Sequence, residues 1–149
     1  MKRNVLIIGA GGVAQVVAHK CAQNNDLLGD LHIASRTKAK CEAIIASVAD
    51  KRAMKVPGIF KAHTIDAMDS AAVAALIRET SVGIVINVGS SFVNMTVLQA
   101  CIDTGAAYMD TAIHEDPAKV CEAPPWYGNY EWKRREAANA PSTTDSGMP

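Results

Sequence analysis

Apolar and β-branched residues gather in five short runs along the chain: 4–8 (NVLII), 31–34 (LHIA), 59–64 (IFKAHT), 83–88 (GIVINV) and 107–110 (AYMD). Runs of this length between turn-forming residues predict strands. Between them the pattern turns periodic. Val13, Val16, Val17 and Cys21 fall on one helical face, as do Cys41, Ile44, Ile45 and Val48, then Val73, Leu76 and Ile77, then Val97, Leu98, Cys101 and Ile102. That i, i+3, i+4 spacing predicts four helices, each with one face against a core. Strand and helix thus alternate up to about residue 115. Alternation with short connections predicts right-handed βαβ units and a parallel sheet covered on both faces. The expected fold is α/β, a Rossmann-type doubly wound parallel sheet of about five strands in three layers.

The rhythm breaks after residue 115. Pro117, Pro124 and Pro125 interrupt it, and Trp126, Tyr127, Tyr130 and Trp132 follow within seven residues. A basic stretch, EWKRREAA, predicts one more short helix, and the last eleven residues, NAPSTTDSGMP, carry no periodic apolar position. The expected organisation is one dinucleotide-binding domain over 1–137 and a disordered tail over 138–149.

The first strand runs into "GAGGVA", where Gly9-x-Gly11-x-x-Ala14 fits the dinucleotide fingerprint G-x-G-x-x-G/A. Gly9 allows the tight turn out of the strand. Gly11 lets a pyrophosphate approach the backbone, and Ala14 lets the helix sit close on the sheet. The helix opening at Gly12 and Val13 points its free N–H groups at the phosphates. The alternative is a tight strand-to-helix turn with no ligand. No Walker lysine follows, so a P-loop is excluded.

The end of the second strand chooses the nucleotide. An NAD site places Asp or Glu there for the ribose 2′-hydroxyl. This chain has "IASRTKAK", with no acid before Glu42. Arg36 can fork two donors onto a 2′-phosphate, Ser35 and Thr37 add hydroxyls, and Lys38 adds charge. The expected cofactor is NADP(H); the missing acid also counts against S-adenosylmethionine. The alternative is that Arg36 and Lys38 are a solvated basic start to the second helix. Asp66, after strand three, either meets the adenine edge or caps a turn, as Asp69 is expected to cap the next helix. Asn87, Val88 and Gly89, with Ser90, end strand four on the nicotinamide side, or form a polar capped turn. Asp110 and Thr111 end strand five beside the same crevice.

Bulk composition narrows the partners. Fifteen basic against fifteen acidic side chains give a net charge of zero, so no polyanion-binding face is expected and nucleic acid is an unsuited partner. No apolar run reaches membrane-spanning length. Cys21, Cys41, Cys101 and Cys121 are too far apart for a zinc or dithiol motif, so they are expected to be buried small hydrophobes in a cytoplasmic protein, with no metal site.

The GAGGVA turn, "ASRT", "INVGSSF" and "YMDTA" together resemble the NADP-binding domain of the saccharopine dehydrogenase family. "CEAPPWYGNYEWKRR", residues 121–135, resembles the matching segment of that family's polyamine-forming reductases. The resemblance spans residues 4 to about 137. It implies an NADP-dependent oxidoreductase that reduces the imine formed from aspartate β-semialdehyde and a diamine. It implies that Gly9, Gly11, Gly12, Val13 and Ala14 hold the pyrophosphate. Ser35, Arg36 and Thr37 would then hold the 2′-phosphate, with Asn87 and Val88 near the nicotinamide. It also implies a further substrate domain, so the chain alone is expected to bind cofactor without turnover.

No side chain is placed as a convincing acid or base. His19, His32 and His63 lie within predicted elements and are expected to be structural; His114 lies nearest the crevice. The four clustered aromatics either pack over the sheet edge or line an entry for an aliphatic diamine. Two function classes stay open: the cofactor half of a reductase, or a non-catalytic nucleotide-binding or interaction module. An incomplete sheet leaves an exposed edge, which makes a homodimer an expected arrangement.

Overall fold

The computed structural model describes residues 3–112 together with 115 and 118. Five parallel strands alternate with helices: β1 (Asn4–Ile8), α1 (Gly12–Ala22), β2 (Leu31–Ser35), α2 (Lys38–Asp50), β3 (Phe60–Thr64), α3 (Ser70–Glu79), β4 (Val82–Asn87), a 3-10 turn (Ser91–Val93), α4 (Asn94–Thr104) and β5 (Ala107–Asp110). Their order across the sheet is β3-β2-β1-β4-β5. The order reverses between β1, which leads by α1 to β2, and β4, which lies on its other side. That reversal is the switch point of a doubly wound sheet, and it opens a crevice beyond the carboxyl ends of the strands.

β1 is the hub. Val5, Leu6 and Ile7 are fully buried and Ile8 nearly so, because β1 has strands on both edges and helices on both faces. Alternation divides its side chains between two cores. Leu6 and Ile8 join Val73, Ile77, Val97 and Leu98 under α3 and α4. Val5 and Ile7 join Leu31, Ile33, Ile44 and Val48 under α1 and α2. Each such side chain contributes about 1.5–3 kcal/mol when fully withdrawn from water.

The faces expected for α2, α3 and α4 are the buried ones: Cys41, Ile44 and Val48, with Ile45 half-buried; Val73, Leu76 and Ile77; Val97, Leu98, Cys101 and Ile102. α1 differs. Its buried face is Ala14, Ala18, Cys21 and Ala22, while Val13 and Val16 are 56% and 60% exposed. The cause is the close approach of α1 to the sheet directly after the glycine turn. Small side chains fill the space beneath it, so Val13 and Val16 are turned outward, while Val17 is half-buried against the core and Cys21 is buried.

The described cysteines, Cys21, Cys41 and Cys101, are free and buried. Burial pushes the thiol of Cys101 up to about 12, so it stays protonated and inert. Among the described residues no helix is long and apolar enough to cross a membrane. His114, Cys121, the aromatics at 126–132 and the expected tail lie outside the described residues.

Candidate functional site

A cleft of about 650 Å³ lies over the carboxyl ends of β1, β2, β3 and β4. Four short stretches wall it. Ile8 to Gly11 form its floor, Ser35 to Thr37 with Lys40 one rim, Ile65 to Met68 a second, and Gly89, Ser90, Phe92 and Val93 the last.

The floor is built by two glycines with different reasons to be glycine. Gly9 has φ +117°, and a Cβ there would stand 2.9 Å from the backbone carbon and oxygen of Val88. The protein itself therefore demands glycine at this position. Gly11 has an ordinary extended backbone, φ −96° and ψ −170°, and a Cβ would meet nothing within 4 Å. No neighbour among the described residues excludes a side chain at Gly11. Its bare backbone lines open cleft, as a closely approaching phosphate requires. Gly12 opens α1, and a Cβ there would likewise meet nothing within 4 Å, whereas Val13 points to solvent and Ala14 packs inward. Gly11, which lines the cleft, caps α1 without any side-chain bond, so no cap takes up the free N–H groups at the positive end of the helix dipole.

The β2 rim has a similar construction. The Ser35 hydroxyl donates to the Thr37 carbonyl at 3.0 Å and accepts from the Thr37 N–H at 3.2 Å. This local turn stops the strand, exposes Arg36 and starts α2. Thr37 caps α2 without a side-chain bond. α3, by contrast, carries its own cap: Asp69 accepts from the Ala72 N–H at 2.9 Å. Arg36 and Lys40 both line the cleft, both are exposed, and among the described residues neither has a carboxylate partner. Lys38, the lysine expected to help, instead pairs with Glu42 at 3.6 Å along the outside of α2. Lys40 is the residue that sequence reasoning missed. Lys40 lies in the first turn of α2, which places it beside the end of β2.

On the β3 side Asp66 lines the cleft, and its carboxylate accepts from the Met68 N–H at 3.0 Å, so it holds a turn. Ile65, Ala67 and the half-exposed Met68 give this rim an apolar surface. At the β4 end Gly89 and Ser90 line the cleft, while Asn87 and Val88 do not. Asn87 is 2% exposed and bonded to protein groups. Ser90 caps the 3-10 turn, accepting from the Phe92 N–H at 3.3 Å. Of the histidines, His19 bonds Ser47 at 3.1 Å between α1 and α2, and His32 bonds His63 at 3.0 Å across β2 and β3. None of the three lines the cleft.

This donor set suits a dinucleotide with an extra phosphate: two helix N-termini without side-chain caps, a bare glycine floor and, where a ribose-binding acid would otherwise stand, two cations without a carboxylate partner among the described residues. Residues 5–144 match the saccharopine dehydrogenase NADP binding domain. The chain belongs to that family. It is 43% identical over 133 residues to carboxynorspermidine synthase of Vibrio alginolyticus, covering 89% of this chain and 32% of the relative. It is 34% identical over 133 residues to carboxyaminopropylagmatine dehydrogenase of Synechocystis, covering 89% of this chain and 31% of the relative. The chain thus spans about a third of the length of these relatives. In three dimensions it is similar to saccharopine dehydrogenase (L-Glu forming) of Saccharomyces cerevisiae, with a TM-score of 0.64 and 20% identity, over 91% of this chain and 25% of that one. The leucoanthocyanidin reductase–NADPH complex of Vitis vinifera has the same fold, with a TM-score of 0.59 and 16% identity, over 91% of this chain and 46% of that one. The family's cofactor is NADP, in agreement with the acid-free β2 rim.

Proposed function

We propose that this chain is the NADP(H)-binding part of a reductase that builds a carboxylated polyamine from aspartate β-semialdehyde and a diamine. The observation that carries the cofactor half is the Arg36–Lys40 rim, cationic and without a carboxylate partner among the described residues, beside a glycine floor that no described residue fills. The likeness to carboxynorspermidine synthases, 43% and 40% identical, supports the substrate half.

The backbone of Gly9 to Gly12 and the start of α1 would hold the pyrophosphate. Arg36 and Lys40, with the N-terminus of α2, would hold the 2′-phosphate. The apolar rim at Ile65 to Met68 would take the adenine. Bound NADPH supplies the hydride that reduces the carbon of the imine formed, with loss of water, from the aldehyde and the amine. The residues of this cleft would bind and orient; among its described residues no acid or base lies at the β4 end. Substrate positioning and proton delivery therefore fall to parts that the longer relatives carry beyond the matched third.

The test has two stages. Calorimetry on the 149-residue chain should give NADPH binding tighter than NADH binding. The same chain mixed with NADPH, aspartate β-semialdehyde and either 1,3-diaminopropane or putrescine should leave NADPH unoxidised, while the coding frame extended to the relatives' length should turn over. Equal affinity for NADH and NADPH would overturn the cofactor assignment. Turnover by the 149-residue chain would overturn the division of labour.

A further inference from the structure

Three buried polar side chains meet behind the last wall of the cleft. Asn87 ends β4, Asn94 opens α4 and Tyr108 lies in β5, and each is 2% exposed. Burying two primary amides is costly unless their donors and acceptors are met. Here they are met in one direction. The Gly89 N–H donates to Asn87 Oδ1 at 3.1 Å; Asn87 Nδ2 donates to Asn94 Oδ1 at 2.8 Å; Asn94 Nδ2 donates to the carbonyl of Ala112. The Tyr108 hydroxyl stands 3.4 Å from Asn87 Nδ2 and donates to Asp110 Oδ2 at 2.8 Å.

The relay grips the loop from behind while the glycine turn grips it in front. The Val88 N–H donates to the Ile8 carbonyl at 2.9 Å, and the Val88 carbonyl would stand only 2.9 Å from a Cβ on Gly9. A Cβ on Gly89 would come within 3.2 Å of Asn87 Oδ1. The Val88–Gly89 segment is thus clamped between the phosphate turn and a buried amide, and Gly89 and Ser90 emerge from the clamp as the cleft wall.

We propose that Asn87 and Asn94 are positioning residues for the nicotinamide half of the cofactor. They act through the Gly89–Ser90 wall and touch no cofactor atom. The placement follows from the proposed function, on which this inference rests. If the 2′-phosphate lies on the β2 rim and the pyrophosphate on the β1 turn, the other half of the dinucleotide must run toward the end of β4. Asn87, expected from resemblance to lie near the nicotinamide, would then serve it from one layer further back.

The experiment compares NADPH with adenosine 2′,5′-bisphosphate, which carries only the adenosine half, on the 149-residue chain and on Asn87→Ala and Asn94→Ala. Each variant is expected to lose about tenfold in NADPH affinity, the loss of one well-placed hydrogen bond, and to keep bisphosphate affinity within about twofold. The double variant should be no weaker than either single one, because the two amides act as a unit. Equal loss for both ligands would mean general damage and overturn the proposal, as would unchanged NADPH affinity in a folded variant. If Asn87→Ala does not fold, Asn94→Ala, which does not touch Gly89, decides alone. The parent chain gives an independent check: the Gly89 amide should exchange with solvent slowly, and exchange as fast as in an unstructured peptide would overturn the clamp. If the parent binds neither ligand, the cofactor assignment has failed, and the Gly89 exchange rate still judges the clamp.

Discussion

The two ends of the cleft are built on opposite principles. The end over β1 and β2 is open and charged, with bare glycine backbone, uncapped helix starts and two cations without partners among the described residues. The end behind β4 and β5 is closed and neutral, with buried amides and a tyrosine whose bonds run to other protein groups. At the first end the helix-start N–H groups have no side-chain cap, which is tolerable only where a ligand or water completes them. At the second it satisfies them internally and so fixes a shape. Under the proposed function the first end would supply affinity and the second geometry.

The largest expected effects come from the two glycines, which should separate binding from folding. Gly11→Val should abolish measurable NADPH binding, because its side chain would occupy the open floor. Its cost in stability should stay below about 1 kcal/mol, as the backbone is ordinary and only a helix cap is altered. Gly9→Ala should do the reverse. Left-handed strain and overlap with Val88 should cost about 2–4 kcal/mol, seen as a lower melting temperature without ligand. A Gly11→Val protein that still bound NADPH with parent affinity would show that the floor holds no phosphate.

Smaller effects are expected on the charged rim. Arg36→Ala should weaken NADPH by about 1.5–3 kcal/mol, the worth of a charge-assisted hydrogen bond, and leave NADH nearly unchanged. Lys40→Ala should act in the same direction with about half the effect, since an ammonium makes no bidentate contact. Lys38→Ala should change neither cofactor, because Lys38 pairs outward with Glu42. Calorimetry with both cofactors on the three variants checks the order. A larger loss from Lys38 than from Lys40 would reverse the assignment of the rim.

The open end was legible in the sequence because its signals are local. Three glycines, a strand before them and an arginine where an acid is usual all lie within short windows. The parallel five-stranded sheet followed from the alternation, as did the buried faces of α2 to α4. α1 was misjudged because valines outrank alanines in an apolar pattern, whereas packing against the sheet selects for small size. The amide relay was illegible for a different reason. It joins residues 7, 14 and 21 positions apart, and an asparagine at a strand end reads equally well as a turn or a ligand contact. Only the closed geometry shows that it faces inward.

The smallest expected effect concerns acid, and it should fall on the β2–β3 side. His32 Nδ1 and His63 Nε2 are 3.0 Å apart, a bond that needs at least one ring to be neutral and is lost when both are charged. Burial is the main cause that holds both imidazoles below the usual 6.5, with the neighbouring charge of His63 adding to the effect on His32 and that of Lys61 acting on both. Lys38 lowers His63 further, while Glu79 opposes the shift on both rings and Asp30 opposes it on His32. A histidine whose folded value is depressed binds its proton less readily than the unfolded chain does. Stability should therefore be level above pH 6.5 and fall as the pH drops from 6.5 through the lower folded values. Asp26, which Lys55 holds below the usual carboxylate range, loses its contribution only in stronger acid, so the two windows are separate. Melting temperatures measured from about pH 8 to about pH 5 should show the decline in the parent and a flatter profile in His63→Gln, which removes one titrating ring and the mutual repulsion. The Gly89 amide, on the far side of β1, should keep its slow exchange over the same range. An identical pH profile in His63→Gln would remove the histidine pair as the cause, and early loss of protection at Gly89 would show that the two ends of the cleft open together.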